Sequence, residues 1–286
     1  MRSSSNSLTL TCSSPVLGQI LIIRRENVVL TEEPPMDVTD LNHAQKANPK
    51  TVEDEAHRLL PEALMLLGFV SLIFATVPEI DLIVSRYFWD PIAGFAFEEN
   101  SFLIAFRDLN RLLPWVVIGF AIVLLLASPF LRNPKYSAAP HKLLFVLTFF
   151  AAGPGLGVQV IKMLVGRARP RALDEFGGSA IFTPPWQLTD QCVRNCSFIS
   201  GEAASAFALL TLVVFVTPRH RTTYLAAVGI VAAAFSFNRV MFGGHFLSDV
   251  VIAWNVMFVL AMLLWQLFSQ NAPQIDALFT RNPCRT

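Results

Sequence analysis

The amino-acid sequence predicts an all-α protein built as a bundle of six transmembrane helices. Hydrophobic residues make up 53% of its 286 residues and charged residues only 15%, whereas a soluble domain typically carries about 25% charged residues. The mean hydropathy is +0.51. The apolar residues are also collected into six segments of roughly 17 to 21 residues, the length that crosses a hydrocarbon core about 30 Å thick.

The six segments lie between two polar ends. Residues 1–57 are polar and mixed in charge, a composition that predicts a mostly disordered cytoplasmic tail. The predicted membrane domain is 58–270, and 271–286 form a short cytoplasmic tail. Within the third segment, Pro154 is expected to kink the helix. The apolar segments span 59–78, 112–131, 143–161, 198–217, 222–238 and 250–268.

The charges between the segments predict the orientation of the bundle. The connections 132–142 and 218–221 are basic and contain no acidic residue, which is typical of the cytoplasmic side. Both termini would then be cytoplasmic, and 79–111 and 166–196 would face outward. The first outward segment alternates apolar and charged residues, which fits either short surface helices or an ordinary loop.

Two cysteines, Cys192 and Cys196, lie close together in the second outward segment. An oxidising compartment on that side would favour a disulfide between them. Two free thiols are an equally good interpretation of the sequence alone.

Ionisable residues lie at the ends of four apolar segments, and an up-and-down bundle places all four ends on one side. Since such residues are costly near a membrane interior, they indicate a functional site. Considered singly, each has a simpler interpretation, such as a snorkelling anchor or a helix cap. Their occurrence together favours a site. The groups are Lys162, Arg167 and Arg169; Ser200 to Glu202; Asn238 and Arg239; and His245 with Asp249.

Three of these residues, Lys162, Arg169 and Arg239, are cations that can converge on one point. A multiply charged oxyanion such as phosphate is their natural partner, because Arg offers paired donors and Lys a point charge. Ser200 and Gly201 begin an apolar helix, where free backbone N–H groups also favour an anion. The sequence therefore predicts a phosphate-binding site.

The pair His245 and Asp249 predicts a nucleophile. Their i, i+4 spacing would put them on one helix face. Asp249 could then accept a hydrogen bond from one imidazole nitrogen and leave the other free to attack phosphorus. A phosphohistidine would form, and water would release phosphate from it.

These residues resemble the motifs of the type 2 phosphatidic acid phosphatase superfamily, K-x6-RP, PSGH and SR-x5-H-x3-D. Lys162 is followed by six residues and Arg169, and Arg239 by five residues, His245, three residues and Asp249. The resemblance covers about 59–268. It implies a six-helix membrane fold of the lipid phosphatase type with its site near the outer surface. It also implies that no metal or other cofactor is needed.

Three positions depart from the family's motifs: Ile199, Asn238 and Glu202 replace proline, serine and histidine. The first two substitutions leave the proposed roles intact. The third replaces the family's usual general acid. A protonated Glu202 could donate to the leaving oxygen, and we expect such an enzyme to work best at mildly acidic pH. An ionised Glu202 could instead pair with arginine or orient water.

The expected function is a lipid phosphatase of the bacterial inner membrane, with its site facing the periplasm. The candidate substrates are lipid A, undecaprenyl pyrophosphate and phosphatidylglycerol phosphate, with lipid A slightly favoured. A lipid phosphotransferase with the same intermediate, or an inactive lipid-phosphate binder or transporter, are the alternatives. The expected partners are the substrate and membrane lipids. The net charge of +1 gives no reason to expect nucleic acid.

Overall fold

Helices account for every regular element in residues 52–130 and 139–279, which are the residues that the computed structural model describes. The predicted all-α class is confirmed. The α-helices are, in order, α1 (Val52–Thr76), α2 (Glu79–Phe88), α3 (Ser101–Ala127), α4 (Pro140–Phe150), α5 (Val158–Val165), α6 (Gly201–Ala208), α7 (Arg221–Met241), α8 (Leu247–Gln270) and α9 (Ala272–Phe279).

Five helical stretches are long and apolar enough to cross a membrane. The fourth predicted segment is the shorter apolar stretch Gly201–Phe215. It consists of α6 and a 3-10 helix, Leu209–Phe215. Because a 3-10 helix rises about 2.0 Å per residue rather than 1.5 Å, these eight and seven residues extend about 26 Å. The described chain thus has five helical stretches of spanning length and one shorter apolar helix in the place of the fourth predicted span.

The third predicted segment is not a simple kinked helix. Its first part, α4, passes into a π-helical stretch, Ala151–Gly157, which contains Pro154 and leads into α5. The wider turn accommodates the ring that would otherwise clash with the preceding turn. A Cβ atom on Gly153 would lie 2.8 Å from Met257 Sδ, so this glycine lets the stretch pack closely against α8.

The segment 79–111, which the sequence predicts to face outward, is largely helical. It contains α2, a 3-10 turn at Ala96–Glu99 and the first turns of α3. Helix α3 begins at Ser101, where the Asn100 side chain accepts a hydrogen bond from Leu103 N at 3.1 Å. The predicted start of the second span, residue 112, therefore lies about three helical turns after the observed start of α3. The charged residues in the first turns of α3 resemble those of a loop.

The core lies around α8, which packs along the length of α1 and contacts α4, α6 and α7. Aromatic side chains fill much of the space between these helices, including Phe149, Phe207 and Trp265. Most of the predicted tail 1–57 lies outside the described residues, as do 131–138 and 280–286. Within the predicted second tail, residues 272–279 form α9.

Candidate active site

The four groups of residues predicted from sequence meet at one end of the bundle. The Ser200 N–H, before α6, donates to the carbonyl of Asp249 in α8 at 3.1 Å, and the His245 N–H donates to the carbonyl of Arg239 in α7 at 3.2 Å. Lys162, in the last turn of α5, donates to the carbonyl of Cys196. Hydrogen bonds to the backbone therefore link the end of α5 to the segment before α6, the start of α6 to α8, and the turn before α8 to α7.

Lys162 and Arg169 lie on either side of a sharp turn. Gly166 ends α5 in the left-handed conformation, with φ of +66°. Lys162 is 6% exposed. Arg169 donates from Nε to the carbonyl of Asn195 at 3.0 Å and from Nη2 to its Oδ1 at 2.8 Å. Both cations are thus held against one short segment of the 166–196 loop.

That segment contains a disulfide. Cys192 and Cys196 are joined, with their Cα atoms 5.5 Å apart. Cys196 supplies the carbonyl that accepts from Lys162. The crosslink therefore constrains the loop next to a predicted phosphate-binding cation.

The N-terminus of α6 has the features expected of an anion site. Ser200 is the N-cap, is fully buried, and accepts from Ala203 N at 3.3 Å. Gly201 follows, and a Cβ atom there would lie 3.3 Å from Val158 Cγ1. The positive end of the helix dipole and the N–H groups of its first turn favour a negative group here.

Arg239 is 4% exposed and has donors left over. Its Nε lies 2.7 Å from Glu202 Oε2, but the angle is not that of a hydrogen bond. Its Nε and Nη1 have no hydrogen-bond partner among the described residues. Buried donors are rarely left unpaired in folded proteins, so an anion binding beside Arg239 would complete its set of partners.

His245 and Asp249 lie close together, but not on one helix face as the spacing suggested. His245 lies in the turn before α8, whereas Asp249 is in its first turn. Asp249 Oδ2 accepts from Phe246 N at 2.8 Å and from the Ser197 hydroxyl. The His245 Nδ1 atom is 3.6 Å from the same oxygen, an ion-pair separation longer than a hydrogen bond. Asp249 thus caps α8 and also faces the imidazole.

Burial controls the protonation of His245. The residue is 3% exposed, and burial lowers the pKa of its imidazole from 6.5 to about 3. The nearby cations Lys162 and Arg169 act in the same direction, while Asp249 opposes them. His245 is therefore neutral across the physiological range, which is the form that a nucleophile needs.

The sequence placed Arg167 among the clustered cations but did not predict that it holds Asp249 in place, and it did not single out Asp81. The Arg167 side chain is fully buried and donates from Nη1 to Asp249 Oδ1 at 2.7 Å and to Ser248 Oγ at 2.8 Å. Its Nη2 donates to Asp81 Oδ2 in α2 at 2.9 Å, and its Nε to the carbonyl of Thr183 at 2.7 Å. One guanidinium therefore connects two buried carboxylates.

Asp81 is the part of this cluster that comes from α2. Its two oxygens also accept from the backbone N–H of Ser248 at 2.8 Å and from its hydroxyl at 2.5 Å. Burial raises the pKa of Asp81, and Arg167 opposes that effect. Arg167 had a sequence signal, since it lies in the basic run beside Arg169. Asp81 had none that separated it from other acids of the outward segment.

Glu202 pairs with arginine, one of the two alternatives given for an ionised Glu202, but its partners Arg111 and Asn110 were not predicted. Its Oε1 accepts from Arg111 in α3, from Nη2 at 2.6 Å and from Nε at 2.9 Å. Its backbone carbonyl accepts from the Asn110 side chain at 3.1 Å. The Glu202 carboxylate therefore lies between two arginines, Arg111 and Arg239.

No group of three or more histidine, cysteine or acidic side chains within residues 52–130 and 139–279 is arranged to hold a metal ion. The described charged side chains around His245 are instead mainly cationic. In chemical terms, the arrangement can bind an oxyanion next to a neutral imidazole.

The family model of the PAP2 superfamily matches residues 141–273. A lipid A 4'-phosphatase of Rhizobium leguminosarum is 33% identical over 67% of this chain and 89% of the relative. A lipid A 4'-phosphatase of Francisella tularensis subsp. novicida is 30% identical over 71% of this chain and 93% of the relative. A third lipid A 4'-phosphatase, from Rhizobium etli, is 33% identical over 67% of this chain and 80% of the relative.

Among solved structures, a transmembrane PAP2-type phosphatidylglycerolphosphate phosphatase from Bacillus subtilis covers 74% of this chain and 96% of its own, at 17% identity and a TM-score of 0.48. That likeness is too distant to carry an argument about the site. The relatives at 30–33% identity and the apolar helices are sufficient: the chain belongs to the PAP2 superfamily and is an integral membrane phosphatase.

Proposed function

We propose that the protein removes the 4'-phosphate of lipid A through a phosphohistidine intermediate. The observation that carries this proposal is the identity of 33% to lipid A 4'-phosphatases over 67% of the chain. The geometry supports it independently, since a buried neutral histidine lies beside a group of cations. A lipid substrate also suits a site at the end of apolar helices.

The proposed binding step uses charge and free N–H groups. Lys162, Arg169 and Arg239 would hold the phosphoryl oxygens, and the first turn of α6 after Ser200 would add backbone donors. Nε and Nη1 of Arg239, which have no hydrogen-bond partner among the described residues, are the clearest donors for such an oxygen. Charge-assisted hydrogen bonds of this kind are about twice as strong as neutral ones.

The proposed first chemical step is attack by His245. With Nδ1 directed towards Asp249, Nε2 is the nitrogen that forms a bond to phosphorus. The bond between phosphorus and the lipid oxygen breaks, and that oxygen leaves with its electron pair and takes up a proton. Asp249, held by Arg167, would stabilise the positive charge that develops on the imidazole.

The proposed second step is hydrolysis. Water attacks the phosphohistidine, the P–N bond breaks, and the electron pair returns to His245 Nε2. Inorganic phosphate and the neutral imidazole are regenerated, so lipid phosphate and water give lipid alcohol and phosphate. The phosphoryl-binding cations serve both steps, because each passes through a similar trigonal phosphoryl group.

We further propose that the site faces the periplasm from the inner membrane and that both termini are cytoplasmic. The disulfide between Cys192 and Cys196 supports this orientation, because disulfides persist in oxidising compartments. Thiol labelling of intact cells at cysteines introduced into the 218–221 connection tests it, since a membrane-impermeant reagent should not reach them.

The substrate is tested with purified protein in detergent. Release of phosphate is measured from lipid A, undecaprenyl pyrophosphate and phosphatidylglycerol phosphate, with His245→Ala as the inactive control. We expect release from lipid A, and fragmentation mass spectrometry should show the 4'-phosphate missing. Preferential release from either other lipid would contradict the proposed substrate. Absence of the intermediate in rapidly quenched, alkali-stable phosphate labelling would contradict the phosphohistidine.

A further inference from the structure

Glu202 is tied to two arginines through both of its carboxylate oxygens. Oε1 accepts two N–H donors of Arg111, at 2.6 and 2.9 Å, and Oε2 lies 2.7 Å from Arg239 Nε. The Asn110 side chain, 1% exposed, also holds the Glu202 backbone carbonyl. Side chain and main chain are therefore both anchored to α3 by adjacent residues.

A general acid needs a different environment. It must carry a proton and present it to the leaving oxygen. Oε1 accepts both hydrogen bonds from Arg111, and Oε2, which makes no hydrogen bond within the described residues, lies 2.7 Å from the cationic Arg239 Nε. A proton on Oε2 would therefore face another positively charged N–H donor instead of an acceptor. Glu202 therefore occupies the sequence position of the family's acid in a geometry that does not suit proton donation.

Arg111 has donors to spare in this arrangement. Only its Nε and Nη2 are used by Glu202, and its Nη1 lies 3.8 Å from Asp108 Oδ1, beyond hydrogen-bond distance. The side chain is 51% exposed, so a ligand can reach it. Arg239, on the other side of Glu202, likewise has no hydrogen-bond partner for Nη1 in residues 52–130 and 139–279.

We propose that Arg111 is a further phosphate-binding residue and that Glu202 is a positioning residue that holds Arg111 and Arg239 side by side. Each guanidinium is planar and offers paired donors that match phosphoryl oxygens, and Glu202 holds two of them next to each other. The ligand class is a dianionic phosphate group. The inference deepens the proposed function and depends on it only for the identity of the lipid.

The chemical steps stay balanced without a carboxylic acid. As the P–O bond breaks, the arginine donors stabilise the charge that forms on the leaving oxygen. A water molecule supplies the proton, and the hydroxide that remains is consumed when the phosphohistidine is hydrolysed. The overall consumption is still one water per phosphate released.

Phosphate binding by purified protein is the first test, with inorganic phosphate as the probe and calorimetry as the readout. Arg111→Ala should raise the phosphate Kd about 10- to 100-fold, as for loss of hydrogen bonds to a charged group. Arg111→Lys, which keeps the charge but not the paired donors, should lie in between. Arg107→Ala is the matched control, because it removes a cation from the same helix that pairs with Asp108.

The pH dependence of activity is the second test. Glu202→Gln should keep kcat within about tenfold of the wild type and should keep both limbs of the pH profile, since no proton is donated from this position. A general acid would instead lose about 100- to 10,000-fold in kcat, together with the alkaline limb. That result would overturn the role given to Glu202.

The outcomes separate this inference from the proposed function. A phosphate Kd for Arg111→Ala equal to that of Arg107→Ala would overturn the binding role of Arg111, even if lipid A is hydrolysed. Wild-type protein that releases nothing from lipid A but binds phosphate through Arg111 would contradict the proposed substrate and support the inference. Thermal midpoints of all variants in detergent show that each one is folded.

Discussion

Arg167→Met is the substitution with the largest expected effect on stability. It removes the guanidinium that joins Asp81 and Asp249 while keeping a long apolar side chain. Both ion pairs, at 2.9 and 2.7 Å, are between side chains that are 0% exposed. Removing one partner of a buried pair costs about 3–5 kcal/mol. Because Arg167 serves two carboxylates, we expect about 4–5 kcal/mol.

The assay is thermal unfolding in detergent. At about 2–4 °C per kcal/mol for a chain of this size, the midpoint should fall by about 8–20 °C. The deficit should be larger at pH 8 than at pH 5. Burial raises the pKa of Asp81 above 3.8, and loss of Arg167 raises it further. The folded state then binds a proton that the unfolded state lacks, so stability declines as pH rises through the folded pKa.

Two variants control the experiment. The double variant Arg167→Met, Asp81→Asn removes one of the facing carboxylates and should regain part of the lost stability. Arg86→Met removes an arginine that is 54% exposed and pairs with Glu175, and it should leave the midpoint unchanged. A midpoint for Arg167→Met within about 2 °C of the wild type, or a deficit independent of pH, would refute the argument that this cluster is a buried charge network.

Three further changes have defined outcomes. His245→Gln should make the protein less sensitive to acid. Because burial lowers the pKa of His245 from 6.5 to about 3, the unfolded chain binds more protons than the folded one between these values, and the wild type should lose about 2 kcal/mol of unfolding free energy at pH 5. The variant should not show this loss in circular-dichroism melts. Cys192→Ser opens the disulfide to Cys196 and should cost about 2 kcal/mol, with a larger relative loss of phosphate release; full retention of activity would contradict the link to the site. Gly166→Ala should lower the unfolding midpoint more than Gly94→Ala does. Both glycines have positive φ, but only a Cβ atom at position 166 would meet a backbone carbonyl oxygen. Equal midpoints for the two variants would contradict this argument.

The fold could be predicted because the membrane imposes a strong pattern. Six apolar runs of similar length are visible in the sequence, and each forms helix in the structure. The start of the second span could not be placed, because Arg107, Asp108 and Arg111 resemble loop residues. These three residues lie in the first turns of α3, at the end of the bundle. Their helical conformation is visible only in the three-dimensional structure.

The candidate site was predictable to the extent that fixed spacing encodes it. The structure brings together the residues of all three motifs. Asp81 and Arg111 could not be predicted, since each lies about 90 residues or more from its partner and neither belongs to a spaced motif. The geometry of His245 differed for a local reason: the helix begins after it, so the i, i+4 spacing spans a turn.

The excess of cations at this end of the bundle has a consequence for turnover. Among the described residues, three carboxylates lie here, on Glu202, Asp81 and Asp249. The cations around them are Lys162, Arg111, Arg167, Arg169 and Arg239. The positive groups outnumber the negative ones, so this end of the bundle favours a phosphate dianion. Inorganic phosphate, the proposed product, carries that same charge once it is free of the lipid. We therefore expect product to compete with substrate and its departure to limit the rate, more so at low salt.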